Sequence, residues 1–138
     1  MNREFTHCPD CGTGLPPGRW PRTCKGCGRH HFLNPTPVAV VVQPVGDGVL
    51  TVRRDIEPGC GELALPGGFI GLQESWREAG VRELEEETGL AVEPDSIDVF
   101  EALSAPDGTL LLFGVAPSVE PEDVADFEPN DEVSELVI

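Results

Sequence analysis

Four cysteines near the start of the chain have the type and spacing to hold a metal ion. Cys8 and Cys11 form one CxxC pair, Cys24 and Cys27 form a second, and twelve residues separate the two pairs. In a reducing compartment, two such pairs favour tetrahedral zinc over disulfides. A redox-active dithiol is the alternative interpretation of this spacing. The fifth cysteine, Cys60, has no partner at motif spacing and is expected to be a loop or buried thiol.

The segment around the two pairs resembles a zinc ribbon. Gly12 and Gly28 directly follow the pairs, and a tight knuckle that points two thiolates at one ion needs a residue that accepts positive φ. Residues 1–33 have few large apolar side chains, so a metal is expected to supply stability that so small a core cannot. We predict a ribbon over residues 1–34 with one structural Zn²⁺, bound by Cys8, Cys11, Cys24 and Cys27. The histidines of this segment are not needed as ligands and are expected at the surface: His7, His30 and His31.

The clearest helical pattern of the chain covers Glu74–Thr88. Ser75 and Glu78 have the spacing of a capping box, and Gly89 is a natural stop after the last turn. Several glutamates occupy that last turn, although the negative end of a helix macrodipole prefers cations. This local conflict makes the helix a candidate functional element.

Three of these glutamates, Glu83, Glu86 and Glu87, share one face of the helix because they are three and four residues apart. The pair Gly67-Gly68 lies just upstream and permits close approach of the backbone. Hard divalent cations bind a few protein carboxylates together with substrate phosphates, which this arrangement would allow. Repulsion between exposed glutamates costs only ~0.2–0.5 kcal/mol per pair, so a solvated acidic face explains the pattern equally well.

The segment that contains this helix resembles the Nudix box at every defined position. It reads Gly68-x5-Glu74-x7-Arg82-Glu83-Leu84-x-Glu86-Glu87-x-Gly89-Leu90. The similarity to the Nudix hydrolase family extends over about residues 36–138. It implies hydrolysis of a diphosphate linkage attached to another moiety, commonly a nucleoside, with Mg²⁺ or Mn²⁺ as the catalytic metal.

The resemblance also implies roles for individual side chains. The catalytic metal would be held by the carbonyl group of Gly68 and by the carboxylates of Glu83, Glu86 and Glu87. Arg82 would orient these carboxylates through charge-assisted hydrogen bonds, or form a plain ion pair on the helix surface. Glu74 would be a further ligand or an outer acid.

A general base and substrate contacts are also required. The candidate bases are Glu83 and Glu87 on the helix and three acids of the downstream loop, namely Glu128, Asp131 and Glu132. Arg53 and Arg54 would contact phosphate groups, or otherwise cap the end of a strand.

The rest of the chain predicts strands and turns. Val38–Gln43 and Val49–Arg54 flank a glycine-rich turn and predict an antiparallel hairpin. Residues 97–105 and 109–116 predict a second hairpin, and 62–65 predict a short strand that ends at Pro66. These elements and one helix favour a mixed α/β (α+β) fold. The resemblance implies the α/β/α sandwich with a mixed sheet that is typical of Nudix proteins, over residues 35–138.

Composition restricts the partners. The chain has 138 residues, 25 acidic and 9 basic, and a formal net charge of -16, which argues against capture of nucleic acid or anionic membranes. Phosphate ligands that arrive with divalent cations remain compatible with this charge. The longest aliphatic run, Val38–Val42, is far shorter than the ~20 residues that span a bilayer, and no secretory signal precedes it. We therefore expect a cytoplasmic protein.

One difference from a branch of the family restricts the range of expected substrates. A zinc ribbon before a Nudix domain resembles the NADH pyrophosphatase branch, but residues 102–108 lack the proline-rich aromatic motif of that branch. The expected substrates are ADP-ribose-like compounds, nucleotide sugars or dinucleotides, with the first two ahead of NADH and of nucleoside triphosphates. The alternative is a non-catalytic nucleotide sensor or a protein- or RNA-binding module that uses the ribbon. By analogy with the family we expect a homodimer, and the end of the sequence suggests that a C-terminal helix has been truncated.

Overall fold

The computed structural model describes residues 4–138, so the first three residues of the predicted ribbon lie outside the described range. The regular elements occur in this order: β1 (Arg22–Thr23), β2 (His30–His31), β3 (Thr36–Val42), β4 (Pro44–Val45), β5 (Gly48–Val49), β6 (Thr51–Arg54), β7 (Leu63–Ala64), β8 (Gly67–Phe69), α1 (Trp76–Thr88), β9 (Asp98–Ser104), β10 (Thr109–Val115) and β11 (Val133–Val137). A 3-10 turn at Pro94–Ser96 precedes β9, and another at Pro121–Val124 precedes β11.

Residues 4–34, here called the cysteine module, contain only the two-stranded antiparallel ribbon of β1 and β2. Their buried apolar cluster consists of Cys8, Leu15 and Cys24, with Phe5 and Trp20 packed against it. Two of the three buried members are cysteines. The module therefore has almost no apolar core apart from its candidate metal ligands.

The larger sheet is mixed, with the strand order β8-β3-β10-β9. The central strands β3 and β10 are parallel, and β9 and β10 form the second predicted hairpin around Pro106-Asp107-Gly108, which is confirmed. Because parallel neighbours need a long crossover, the chain between β3 and β10 passes through the smaller sheet and the helix. The prediction of a mixed sheet is confirmed.

The first predicted hairpin is wrong beyond its tip. The strands β3 and β6 belong to different sheets. Between them, hairpin pairing is limited to the short β4–β5 ribbon and to one hydrogen bond from the Leu50 amide to the Gln43 carbonyl. The hydrogen-bonding edges of β3 are already occupied by β8 and β10. The strand β6 therefore pairs with β7 and β11 in a separate antiparallel sheet.

The predicted short strand at 62–65 is confirmed as β7. The chain was expected to leave the sheet at Pro66, but a second strand, β8, begins at Gly67. Glycine explains this pairing, because a Cβ at Gly67 would collide with the carbonyl oxygen of Ala39 on β3. Only a residue without a side chain brings β8 so close to its neighbour.

The helix α1 begins at Trp76, two residues later than predicted, with Ser75 as its N-cap and the predicted capping box to Glu78. Its inner face joins a core that includes Val41, Leu50, Leu84, Ile97 and Ala116. At Gly80 an added Cβ would lie 3.1 Å from a methyl group of Val41, so the helix rests closely on β3.

The expectation of a full α/β/α sandwich is only partly met. Within residues 4–138, α1 is the one α-helix, so a helical layer covers one face of the mixed sheet. The chain after β10 contains Pro117, Pro121 and Pro129, and proline lacks the amide donor that a continuing helix needs. In that described part of the chain, no helix is long and apolar enough to cross a membrane.

Candidate functional site

The candidate catalytic residues lie where α1 packs against β8. A Cβ at Gly68 would overlap the carboxylate of Glu83, so the missing side chain makes room for that carboxylate beside the strand. The amide of Gly67 donates a hydrogen bond of 3.1 Å to Glu87 Oε2, one helical turn further along. We call this group of Gly67-Gly68, Glu74, Arg82, Glu83, Glu86 and Glu87 the glutamate site.

Arg82 organises the acids of this site. Its Nε and Nη2 atoms donate to the two carboxylate oxygens of Glu74 at 3.1 and 2.8 Å. Its Nη1 atom donates to Glu83 at 2.7 Å and to Glu86 at 3.1 Å. The carbonyl of Phe69 accepts a further bond from Nη2 at 3.1 Å, which ties the guanidinium to β8. A planar guanidinium with several fixed donors is suited to such a role, which a flexible ammonium cannot fill.

Glu74 is held as a permanent anion. Its hydrogen bond with Arg82, supported by the Gly71 amide at 2.7 Å, lowers the pKa of this carboxyl to about 2. The same contacts raise the pKa of Arg82 further above its ordinary value. Both carboxylate oxygens of Glu74 accept hydrogen bonds from Arg82, so this pair fixes the orientation of the guanidinium.

Glu87 has the opposite environment. The residue is only 6% exposed, and loss of water around the carboxylate raises its pKa to about 7. The charges of Glu83 and Glu132 raise this pKa further, whereas the Gly67 amide and Arg54 oppose the shift. A carboxylate in such a place is stabilised by any cation that reaches it, because burial disfavours an uncompensated charge.

A cavity of about 300 Å³ opens beside these residues. It brings together three residues that were predicted as metal ligands, two of them carboxylates and one a glycine, with one arginine and one loop acid. Its lining residues are Arg54, Ile56, Gly67, Gly68, Phe69, Glu83, Glu87 and Glu132. Glu86 is absent from this lining. Of the three predicted carboxylate ligands, Glu83 and Glu86 bind Arg82, whereas Glu83 and Glu87 line the cavity.

The two predicted substrate arginines have different surroundings. Arg53 donates to Glu135 on β11 at 2.5 Å and to the carbonyl of Gly61 at 2.9 Å, away from the cavity. Arg54 lines the cavity and donates its Nε atom to the carbonyl of Pro58 at 2.8 Å. Neighbouring residues of a strand point to opposite faces, so only one of the pair can serve the site.

The loop acids also separate. Glu132 lines the cavity with the glutamate site, whereas Glu128 lines another cavity of about 400 Å³ near the end of α1. Asn130, a residue that was not predicted, fixes this loop to the helix. Its side chain donates to the Glu86 carbonyl at 3.2 Å and accepts from the amide of Glu132 at 3.0 Å. A Pro-Asn-Asp turn signal at this point was the available clue.

The residues fit a hard divalent cation. The candidate donors are carboxylate and backbone oxygens of residues that line an open cavity, and a cation there would relieve the like-charge conflict at Glu87. Glu83, Glu87 and the Gly68 carbonyl are the groups at the cavity that would hold such an ion. Glu86 is linked to Glu83 by Arg82, whose Nη1 atom donates to both carboxylates.

The four predicted zinc ligands meet at a second place. The sulfur atoms of Cys8 and Cys27 are 3.7 Å apart, those of Cys11 and Cys24 are 3.5 Å apart, and all four lie within 4.8 Å of one another. Tetrahedral zinc with Zn–S bonds of ~2.3 Å requires sulfur atoms ~3.8 Å apart. The thiol geometry therefore fits a closed tetrahedral site. Cys60 is exposed in its loop.

The predicted surface position of the histidines is confirmed for His7 and His30 and is wrong for His31. The side chain of His31 is buried, and its Nε2 atom lies 3.2 Å from the sulfur of Cys8. In the pairing of β1 with β2, Arg22 lies opposite His31. A sequence pattern cannot show which of two adjacent histidines on a strand faces inward.

Comparison with known proteins now gives the family. The family model described as the NUDIX domain matches residues 33–137. An ADP-ribose pyrophosphatase of Methanocaldococcus jannaschii is 36% identical over 76 residues, which are 55% of this chain and 44% of that protein. This chain thus spans less than half the length of that curated relative.

Solved structures share the fold. A NUDIX hydrolase from Nitrosomonas europaea is 26% identical with a TM-score of 0.78, and the match covers 96% of this chain and 76% of that chain. Because the match covers 96% of this chain, it includes most of the cysteine module. The NUDIX domain of Shewanella oneidensis NrtR, solved with ADP ribose, is 21% identical with a TM-score of 0.60. That match covers 77% of this chain and 73% of the other, and it shows likeness of fold alone.

Proposed function

This chain belongs to the NUDIX domain family, and on that premise we propose that it is a Mg²⁺- or Mn²⁺-dependent pyrophosphohydrolase. Its substrate is a nucleoside diphosphate joined to another moiety, and water cleaves the diphosphate linkage. The single observation that carries the proposal is the set of carboxylates held by Arg82 beside the Gly68 backbone, at a cavity that also contains an arginine.

The residues have separate tasks in this proposal. Glu83, Glu87 and the Gly68 carbonyl hold the divalent ion at the cavity, and Arg82 keeps Glu83 and Glu86 in position. When bound, the ion neutralises the diphosphate and lowers the pKa of a bound water. Without such compensation, a chain with a net charge of -16 would repel its own substrate.

Two residues complete the cavity. Arg54 contacts the substrate phosphate, because its side chain lines the cavity while Arg53 is paired with Glu135. Glu132 is the candidate general base among the loop acids, because it lines the same cavity as Glu83 and Glu87. Glu128 faces a different cavity and is not assigned a role in the reaction.

An ADP-ribose-like compound is the proposed substrate class. The support is the 36% identity to an enzyme named ADP-ribose pyrophosphatase, over 76 residues that make up 55% of this chain. Residues 102–108 lack the aromatic proline-rich motif of the NADH-cleaving branch, so NADH is placed behind ADP-ribose and nucleotide sugars.

The test is a panel of ADP-ribose, a nucleotide sugar, NADH and a nucleoside triphosphate, each with Mg²⁺ or Mn²⁺. We expect ADP-ribose and water to give AMP and ribose 5-phosphate. Glu86→Gln removes a carboxylate that Arg82 holds beside Glu83, and it should lower the rate by about 10–100-fold. Glu85→Gln makes the same charge change on the same helix and should keep the wild-type rate. Turnover that survives Glu86→Gln unchanged would contradict the proposal, and an inert wild type that still binds ADP-ribose would favour a sensor.

We also propose that the cysteine module binds one structural Zn²⁺ through Cys8, Cys11, Cys24 and Cys27. The sulfur distances and the small apolar cluster support this assignment. Metal analysis of the purified chain should find about one zinc per chain, and a folded module free of zinc would refute it.

A further inference from the structure

We infer that His31 is a positioning residue of the cysteine module, which donates a hydrogen bond from Nε2 to the thiolate of Cys8. This inference rests on the proposed zinc site. Both partners are removed from solvent, with 9% of His31 and 2% of Cys8 exposed, and the Nε2–Sγ distance is 3.2 Å. Buried polar groups need a partner, and the Cys8 sulfur is the partner that this ring nitrogen meets.

The geometry makes His31 a donor to a ligand and excludes it from the set of ligands. The four thiol sulfurs form one mutually close group, which already supplies the four donors of tetrahedral zinc. The Nε2 atom of His31 belongs to a different close group, with Cys8 and Asp10. A metal-bound thiolate has no proton to give, so the proton of the N–H···S bond must be on Nε2 of the imidazole.

Asp10 is a second negative group close to the Nε2 atom of His31. It lies within the same CxxC knuckle, and its Oδ2 atom is 3.7 Å from His31 Nε2 and 4.0 Å from the Cys8 sulfur. A carboxylate and a thiolate this close repel each other, and an N–H group next to both reduces that repulsion. Arg29 forms an ion pair with Asp10 at 3.3 Å and partly neutralises this carboxylate from the solvent side.

The position of the imidazole is fixed by its neighbours. His31 lies on β2, paired with Arg22 of β1, and the ring of Phe5 meets it nearly edge-on with centroids 6.0 Å apart. Strand pairing and the contact with Phe5 therefore hold the imidazole beside the Cys8 sulfur. Outer hydrogen bonds of this kind typically change metal affinity by about 10–100-fold.

The test compares His31→Phe, which keeps a planar ring without a donor, with His31→Gln, which retains an N–H donor. Zinc affinity is measured by competition with a chelator, and the thiolate-to-metal absorption is recorded after Co²⁺ substitution. We expect His31→Phe to weaken zinc binding by about 10–100-fold and to shift that absorption, and His31→Gln to restore part of both. His30→Phe, the same change on the exposed neighbour, should leave both at the wild-type values.

A measurement on the unaltered protein keeps the inference testable if a variant fails to fold. Long-range ¹H–¹⁵N spectra of the zinc-loaded chain should show His31 protonated on Nε2 and not on Nδ1. The opposite tautomer, an unchanged affinity in a folded His31→Phe, or Co²⁺ spectra with a nitrogen ligand would overturn the inference while leaving the zinc site intact. A wild-type chain that binds no zinc would overturn the proposed site and this inference with it.

Discussion

The cysteine module and the glutamate site both collect negative groups around the expected position of a cation, but they are held together in opposite ways. In the module the ligands are themselves most of the buried cluster, since Cys8 and Cys24 are two of its three members. In the glutamate site an arginine, a capping box and a separate apolar core hold the carboxylates. The comparison teaches that in one region the metal would make the structure, whereas in the other the structure makes the metal site.

The two sets of donors differ in chemistry as well as in support. Four thiolates around one point form a closed site, in which nothing is left open for a substrate. Carboxylate and carbonyl oxygens beside a cavity form an open site, which suits a hard cation that also binds phosphate. Damage to the first should therefore appear as lost structure, and damage to the second as lost activity.

The largest effect is expected from removal of metal from the module. Zinc supplies ~10–16 kcal/mol of binding free energy in zinc-finger peptides, and this module has no comparable core to replace it. Cys24→Ser or a strong chelator should unfold residues 4–34, with collapse of their amide chemical shifts and rapid proteolysis at Arg22 and Lys25. The unfolding midpoint of the rest of the chain should stay close to the wild-type value, because the core around Leu50 and Leu84 is separate.

Cys60→Ser is the matched control for this experiment, because Cys60 is an exposed thiol outside the cluster. It should leave zinc content and the proteolytic pattern unchanged. If the Cys24→Ser chain keeps an ordered, protease-resistant module, the module does not depend on metal for its structure, and the proposed difference between the two regions is wrong.

The next largest effect is expected from Glu83→Gln, which removes a charge at the cavity while keeping the shape of the side chain. The metal contribution to stabilising transition-state charge is several kcal/mol, so a loss of ~4 kcal/mol, or about 10³-fold in kcat, is expected. The folded structure should persist, because Glu83 takes no part in the apolar core. Glu85→Gln provides the control for charge, and a Glu83→Gln enzyme with normal kcat would remove Glu83 from the site.

The glutamate site could be predicted because its parts lie in one continuous segment from Gly67 to Gly89. Within such a segment, helical spacing decides which side chains share a face, and the capping box and the stop at Gly89 appeared as expected. The parallel pairing of β3 with β10 joins residues about seventy positions apart, and local patterns carry no information on which strand takes a free edge.

The errors have the same origin. The first hairpin was wrong because the pattern of β3 and β6 describes two strands but not the sheet that each joins. Alternation on β6 and β2 shows that Arg53 and Arg54, or His30 and His31, face opposite ways, but not which faces the site. That choice depends on distant partners such as Glu135 for Arg53 and Cys8 for His31.

A third prediction uses the buried carboxyl of Glu87, whose pKa is raised to about 7 from an ordinary value of 4.5. The folded chain thus binds a proton more tightly than the unfolded chain. The resulting stability is fully present below pH ~4.5 and is lost as pH rises through ~7. Without divalent cations, the free energy of unfolding relative to Glu87→Gln should fall by about 1–3 kcal/mol across this window.

Denaturant titrations at several pH values measure this difference between wild type and Glu87→Gln. Added Mg²⁺ should restore stability to the wild type on the alkaline side, because the cation binds the ionised carboxylate. Parallel pH profiles for the two proteins would show that Glu87 is already ionised or is solvated in the folded chain.

Arg82→Lys tests whether the carboxylates need a fork of donors or only a positive charge. A lysine keeps the charge but cannot bind Glu74, Glu83 and Glu86 together, so kcat should fall by about 10–100-fold with little change in thermal stability. Arg77→Lys is the control, because Arg77 lies on the same helix and donates instead to the carbonyl of Ile97. Equal activity of Arg82→Lys and wild type would reduce the arginine to a simple counter-charge.

The smallest effect is expected from the adjacent arginines of β6, which differ only in the direction that the strand gives them. Arg54→Gln removes a charge from the cavity and should raise KM by about 10-fold with a smaller change in kcat, as loss of one charged phosphate contact predicts. Arg53→Gln breaks the pair with Glu135 and should change stability by less than about 1 kcal/mol and leave KM unaltered. Steady-state kinetics on the two variants decide the point. If Arg53→Gln raises KM and Arg54→Gln does not, the substrate lies on the opposite face of β6 from the glutamate site, and the cavity is not where the phosphate binds.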